Sequence, residues 1–481
     1  MSTVLAFDLG ASSGRAVLAE YSGGKISYRE IHRFENAPQE KNGSLRWDLD
    51  YLMNEIKKGI RIAEKNGGAD SMAFDTWGVD YGLLDGSGNL ISQPYCYRDG
   101  RTAGTPEKIF AKITRQALYK TTGIQIMNIN TLFQLAAEKD KSASKLLFIP
   151  DLIAYLLCGA VSAEQTIAST SQLLDISTGD WSQDVFALTG MASGALPPIV
   201  KSATPAGAYN DIKIIKAAGH DTQCAVCAMP CEEDETAAFL SCGTWSLIGC
   251  ECDAPITTEK SMRDELSNEL GANGKINYLK NISGLWLIQQ LKKDFKAQGK
   301  DYSYADMEQL AKDAPRHCFI DADDPAFSQP GDMPQKIARR CAETGQALPQ
   351  TDGELIRTVY ESLAMKYRFA IKQLAENTGK KFGALYLLGG GSKDSLLCRL
   401  TADRTEIPVK AGPAEATALG NIMLQLIALG DIKSINEGRR IIRQSESIKT
   451  YLPENTEQNG SDYDKYLKIL NKREVKIYEL S

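Results

Sequence analysis

The sequence predicts an α/β protein built as two similar halves. Three observations carry this expectation. Strand-like and helix-like stretches alternate along the whole chain. A strand–turn–strand opening occurs twice, at Phe7–Val17 and again at Ala237–Gly249. The length, 481 residues, is enough for two large domains.

The chain opens with the apolar run Thr3–Phe7, the turn Asp8–Gly14 and a second apolar run, Arg15–Ala19. Leu52, Ile56, Ile60 and Ala63 then recur at helical spacing, which predicts a helix over Asp50–Asn66. Ser71–Asp75 and Tyr81–Leu84 read as strands, the second closed by Asp85-Gly-Ser-Gly88. Helices are expected at Glu107–Thr121, Thr131–Lys139 and Pro150–Leu157, before a loop-rich stretch, Ala160–Thr204. Ile212–Ile215 reads as a short strand leading into Gly219-His-Asp-Thr222 and a cysteine-bearing helix that Pro230 ends. The second opening follows. Further helices are expected at Ile282–Gln298, Tyr304–Asp313 and Asp352–Thr378. Strand Ala384–Leu388 runs into Gly389-Gly-Gly391 and a helix, Lys393–Arg404. Glu415–Leu429 reads as a helix and Asp462–Leu480 as a charged surface helix. The repeat sets a boundary near 235, giving domains 1–235 and 236–481 with a cleft between them.

Composition excludes several classes. With 43% hydrophobic and 24% charged residues the chain is neither disordered nor collagen-like. No apolar run reaches the ~18 residues that cross a bilayer. Asp8 interrupts the apolar start and no basic segment precedes it, so a cytoplasmic protein without a signal peptide is expected. Lys and Arg (55) nearly balance Asp and Glu (61), which leaves no footprint for nucleic acid. The 11 cysteines are odd in number and scattered, so no disulfide framework is expected. The spacing of Cys224, Cys227 and Cys231 also occurs in zinc sites. Their apolar neighbours favour packing in a core.

No Walker-type phosphate loop and no G-x-G-x-x-G occurs. Phosphate-binding candidates are turns. In Asp8-Leu-Gly-Ala-Ser-Ser-Gly-Arg15 the glycines let backbone N–H groups form an anion nest, and Ser12, Ser13 and Arg15 add donors. Asp8 is a candidate Mg2+ ligand, since Mg2+ takes one or two carboxylates together with phosphates. Ser241-Cys-Gly-Thr-Trp-Ser246 is a second turn of the same type. Gly389–Gly391 would let a flat ligand approach the backbone. Asp221 begins a helix, whose field is expected to keep it ionised as a proton acceptor. An ordinary N-cap is the alternative. Asp75–Asp80 with Trp77, Tyr97-Arg-Asp99 and Asn281 mixes aromatic and polar groups as sugar sites do.

These stretches occur in an order that resembles the FGGY carbohydrate kinases of the actin/hexokinase-like ATPase superfamily. Gly412-Pro-Ala-Glu-Ala-Thr-Ala-Leu-Gly-Asn421 completes the set, and the resemblance runs from about residue 4 to about residue 425. It implies two ribonuclease-H-like domains with ATP and sugar in an interdomain cleft. It implies ATP contacts at Ala11, Ser12, Ser13, Gly14, Arg15, Thr244, Gln289, Gly389, Gly390 and Gly391. It implies sugar contacts at Gly78, His220, Asp221, Thr222 and Asn281, with Asp221 as general base. Asp75–Asp80, Tyr97–Asp99 and Lys280–Ile282 point within the family to the C1 hydroxyl of L-rhamnulose. Another ketose or polyol, such as L-fuculose, is the alternative, and an actin- or chaperone-like ATPase is the rival of another class. Three positions depart from the family pattern: Gln223-Cys224 stands for Ala-Ser, Cys242 for Ser, and Ser392-Lys-Asp394 for a segment with Asn.

Overall fold

The computed structural model describes the fold of residues 1–315 and 318–478, with side-chain packing to residue 470. His317 and the last residues of the expected tail helix lie outside the described residues. The chain divides into two compact units. The first comprises Met1–Glu233, Glu251–Leu279 and Glu415–Glu446, and the second comprises Asp234–Cys250, Lys280–Ala414 and Ser447–Ser481. The first unit is thus assembled from three separate stretches of chain.

The first unit is organised on a six-stranded sheet. Its strand order is Thr204–Tyr209, Ile212–Lys216, Ser71–Thr76, Ser2–Leu9, Ser13–Ser22 and Lys25–Glu35. The opening hairpin is antiparallel and pairs Asp8 with Arg15. Strand Ser71–Thr76 runs parallel to the first strand and sets Asp75 beside Asp8. Val4, Leu5, Ala6 and Phe7 are all buried, which a fully apolar run requires. Helix Leu49–Lys65 follows the predicted periodicity and buries Leu52, Ile56, Ile60 and Ala63. A Cβ on Gly59 would meet the Phe7 ring at 2.9 Å, so this helix lies close against the sheet. Helix Ala416–Leu429 packs on the same sheet through polar contacts. Gln425 Nε2 donates to the Leu5 carbonyl at 3.2 Å and Ser71 Oγ donates to Gln425 Oε1 at 2.7 Å.

The second unit repeats this plan. Ala237–Cys242 and Trp245–Cys252 form an antiparallel hairpin, and Ala384–Leu388 runs parallel to the former. Val409–Ala411 and Lys449–Tyr451 extend the sheet beyond Ala384–Leu388. The long helix Asp352–Thr378 begins at a capping box formed by Thr351 and Glu354. Among the described residues no helix is long and apolar enough to cross a membrane.

Several boundaries differ from expectation, each for a local reason. The helix expected over Glu107–Thr121 is two helices, Thr105–Phe110 and Arg115–Thr122. Thr114 is extended and its side chain caps the second by accepting from Ala117 N, which breaks the run. Ile282 belongs to strand Ile276–Ser283, and the expected helix starts only at Trp286. Gly284 separates them. A Cβ there would sit 2.6 Å from Ser246 Oγ. The helix expected from Lys393 starts at Ser395, because Asp394 caps it. Helices Met333–Glu343 and Ile435–Ser445 and strands Lys25–Glu35, Thr204–Tyr209 and Ser267–Leu270 were not expected.

Candidate active site

Within the first unit, Asp8 sits near the end of the first strand. Arg15, its partner across the hairpin, donates to Asp8 Oδ2 from Nε at 2.9 Å and from a terminal nitrogen at 2.6 Å. The other terminal nitrogen donates to Glu415. Arg15 is therefore locked between two carboxylates. Gly10 N donates to Ser13 O at 2.9 Å, and Asn36 Nδ2 donates to Gly10 O at 2.8 Å, so the turn holding Ala11, Ser12 and Ser13 is braced from the neighbouring strand. Gly14 is required for packing, since a Cβ would meet the Phe34 ring at 2.3 Å.

Asp75 is fully buried next to this pair. Burial and the charge of Asp8 push its carboxyl well up, while Asn421 Nδ2, donating to Oδ2 at 2.7 Å, pulls it back. Its Oδ1 has no hydrogen-bond partner. The strand carrying Asp75 ends at Thr76, whose N–H donates to the Gly219 carbonyl at 2.9 Å. That link brings Gly219-His-Asp-Thr222 to the carboxylates.

Asp221 is the first residue of helix Asp221–Cys227, and its Oδ1 accepts from Thr222 N at 2.5 Å. Its side chain is 31% exposed, against 13% for Asp8. Burial is the largest influence and raises the Asp221 carboxyl above the usual range, and Asp8 adds to this; His220 and the Thr222 donors oppose it. His220 Nε2 lies 3.4 Å from Asp221 Oδ1, and His220 Nδ1 lies 2.9 Å from Glu269 Oε2. The buried Glu164 braces the same turn: its Oε2 accepts from Gly219 N at 2.8 Å.

Gly78 lies against Thr170, whose hydroxyl a Cβ would meet at 3.2 Å. Val79 beside it has φ +67, a strained conformation for a β-branched residue. Thr170 Oγ1 accepts from Val79 N at 3.1 Å and Thr131 Oγ1 donates to Val79 O at 2.6 Å, which hold it there. Trp77 is a core residue. It is 6% exposed, and its indole N–H donates to the buried Asp80 at 2.9 Å. Asp80 also accepts from Trp47 Nε1, Tyr97 N and Gln134 Nε2. Asp99 is likewise structural, accepting from Leu45 N at 2.7 Å and Arg101 N at 2.9 Å.

In the second unit, the turn holding Thr244 closes the hairpin, with Gly243 N donating to Trp245 O at 2.8 Å. Its carbonyls receive the first N–H groups after strand Ile276–Ser283: Leu285 N donates to Gly243 O, and Trp286 N to Thr244 O. Gln289, on the helix that follows, donates from Nε2 to Thr244 Oγ1 at 3.3 Å. Gly389 has φ +79, the region that glycine favours. Gly391 presses on Cys242, whose sulfur a Cβ would meet at 2.4 Å, while Gly390 has open space. The structure thus brings Thr244, Gln289 and Gly389–Gly391 together around one hairpin. Asn281 is half-buried on strand Ile276–Ser283. Of the expected sugar contacts, Gly78, His220, Asp221 and Thr222 belong to the first unit and Asn281 to the second.

The residues present suit a hard cation alongside phosphates. Asp8 offers carboxylate oxygen, and one oxygen of buried Asp75 nearby is left without a hydrogen-bond partner. Among the described residues no three His, Cys, Asp or Glu side chains form a cage of their own. Cys224 and Cys227 are buried, and burial pushes both thiols up. Cys231 is also buried, beside Arg439.

Sequence reasoning missed Glu269, Glu164, Glu415 and the role of Asn421. For Glu269 a signal was available: Asn273-Gly274 between Ser267–Leu270 and Ile276–Ser283 is a hairpin dipeptide, with φ +75 at Gly274.

The model of the N-terminal domain of the FGGY family of carbohydrate kinases matches residues 3–241, and that of the C-terminal domain matches 238–429. A rhamnulokinase from Ligilactobacillus salivarius is 38% identical over 469 residues, covering 94% of this chain and 96% of its own length. A rhamnulokinase from Bacteroides thetaiotaomicron is 39% identical over 470 residues, covering 93% and 95%. Among solved structures, the gluconate kinase of Lactobacillus acidophilus matches with a TM-score of 0.78 at 18% identity, covering 98% of both chains. The glycerol kinase of Plasmodium falciparum with ADP matches with a TM-score of 0.77 at 16% identity, again covering 98% of both. At such identities these structures speak to fold alone.

Proposed function

The chain belongs to the FGGY family of carbohydrate kinases and is a sugar kinase, and from that premise we propose that it transfers the γ-phosphoryl group of ATP to the C1 hydroxyl of L-rhamnulose, with Asp221 as general base. The likeness to rhamnulokinases over nearly the whole chain supports the choice of sugar. One observation carries the choice of base: among Asp8, Asp75, Asp221 and Glu269, Asp221 has the most exposed carboxylate.

Phosphoryl transfer asks a protein for alignment, charge neutralisation and a proton acceptor. Asp221 accepts the hydroxyl proton as the sugar oxygen bonds to phosphorus and ADP leaves. Gly78, His220, Thr222 and Asn281 hold the sugar. Ala11, Ser12, Ser13, Gly14, Arg15 and Thr244 hold phosphate oxygens through backbone N–H groups, hydroxyls and the guanidinium. Gln289, Gly389, Gly390 and Gly391 hold the remainder of the nucleotide. Asp8 would hold Mg2+, which supplies charge neutralisation when bound.

The test is ADP formation with a panel of sugars. L-Rhamnulose should give a kcat/KM at least about tenfold above L-fuculose, D-xylulose and glycerol, a discrimination worth about 1.4 kcal/mol. Preference for another sugar would overturn the substrate. ADP formation independent of any sugar would overturn the reaction.

A further inference from the structure

We propose that Glu269 is a positioning residue for the base: it holds His220 between itself and Asp221 as a doubly protonated imidazolium, and this cation keeps Asp221 able to accept a proton. The inference rests on the phosphotransfer reading for the role of Asp221.

The acceptor set assigns the charge. His220 Nδ1 lies 2.9 Å from Glu269 Oε2, and Nε2 lies 3.4 Å from Asp221 Oδ1. Ionised carboxylates only accept. A neutral imidazole carries one N–H and one lone pair. With Nδ1 donating to Glu269, a neutral ring would leave its lone pair on the side of the Asp221 carboxylate, which stands at ion-pair distance. Protonation replaces that repulsion with attraction to two ionised carboxylates.

Glu269 is well placed to enforce this. It is 4% exposed, and its Oε2 also accepts from Gln223 Nε2 at 2.7 Å. Gln223 Oε1 in turn accepts from Asn277. Asn277 stands opposite Glu269 in the antiparallel pair of strands Ser267–Leu270 and Ile276–Ser283. The carboxylate is therefore set by sheet register rather than by a loop. Gln223 and Asn277 are buried too, so little water competes for it. The charged groups around His220 are Glu269, Asp221 and Glu164, all acidic. Around Asp221 they include His220, Asp8 and Asp75, and His220 is the cation acting on it directly, while Arg15 is held by Asp8 and Glu415. Without an imidazolium, burial and two neighbouring carboxylates would leave Asp221 protonated to higher pH.

Ring-15N NMR of histidine-labelled full-length protein tests the charge. The chain has three histidines, so His220 is assigned by its absence in His220→Gln. At about pH 7 the parent should show His220 with two ring protons. Glu269→Asp should retain that pattern and Glu269→Gln should lose it. In sugar-dependent turnover, Glu269→Gln should move the acid limb of kcat to higher pH by about one unit, with kcat recovering at alkaline pH. A neutral His220 in the parent overturns the proposal, and that spectrum suffices even if Glu269→Gln does not fold. An imidazolium that survives in Glu269→Gln also overturns it, as does a loss of kcat equal at every pH. The ring spectrum needs neither sugar nor ATP, so its failure is distinguishable from failure of the kinase reading.

Discussion

At the scale of single residues, the candidate site is a balance of negative charges. Asp8 raises the proton affinity of Asp75 and of Asp221, Asp221 adds to that of Asp75, and Arg15 and His220 offset them. Asp221→Asn removes the acceptor but keeps the shape. Turnover should fall by about 10²–10⁴-fold with sugar binding largely kept. Turnover within a few-fold of the parent would exclude Asp221 as the base. Asp80 has a different task, collecting the indole N–H groups of Trp47 and Trp77, the Tyr97 N–H and Gln134 Nε2. Asp80→Ala strands these buried donors, each costing about 1–3 kcal/mol. We expect a loss above about 3 kcal/mol in denaturant unfolding; a loss under about 1 kcal/mol would mean that water or relaxation satisfies them.

At the scale of elements, two contacts fix the Asp221 helix. Gly420, on helix Ala416–Leu429, touches it so closely that a Cβ would fall 1.9 Å from the Cys224 carbonyl oxygen. The contact lies within the first unit. Gly420→Val should cost at least about 1–3 kcal/mol and displace the helix. Turnover should fall by more than the change in melting temperature accounts for. Full activity with an unchanged melting temperature would contradict the contact.

Glu164 is the second. Its Oε2 takes the Gly219, Thr166 and Ile167 N–H groups and the Thr166 hydroxyl, and Ser202 Oγ donates to Oε1. Burial raises its carboxyl to about 7 from 4.5. The folded state thus binds a proton that the unfolded chain releases between these values. Stability from that proton is full below about 4.5, falls as pH rises, and is gone above about 7. Glutamine can serve the same donors through one oxygen and turn its amide to Ser202. Glu164→Gln should therefore gain on the parent in melting temperature as pH rises from about 5 to about 8. The whole difference corresponds to roughly 3 kcal/mol. An offset that stays constant with pH would contradict the assignment.

At the scale of the whole molecule, the first unit depends on chain that arrives late. Asn421 and Gln425 bond to Asp75, Leu5 and Ser71 of its sheet, and Glu415 to Arg15. A fragment ending at Glu233 would lack all of these and expose sheet that the Ala416–Leu429 helix covers. Such a fragment should bind a hydrophobic dye and unfold without a cooperative transition. Sharp thermal unfolding of the fragment would show that the later segments are dispensable.

The repeated hairpins, the parallel third strands and most long helices were legible because each is a local matter of period, turn residues and caps. The long helices Leu49–Lys65 and Asp352–Thr378 are clear cases. The glycine-rich turns were legible for the same reason, since such turns mark themselves in the sequence. Glu269 and Glu164 were not. Each is a lone carboxylate in a stretch without strong periodicity, and its importance lies in a partner 49 or 55 residues away. The surroundings of Trp77 were not legible, because an aromatic residue looks alike whether it faces a sugar or a buried carboxylate. The sequence by itself determined the α/β class, the order of elements and the glycine-rich turns, since backbone conformation there depends on neighbours in the chain. Tertiary structure alone decided which carboxylates meet, which are buried and which histidine stands between them. Those are consequences of burial and of electrostatics acting through space, and neither has a local period to read.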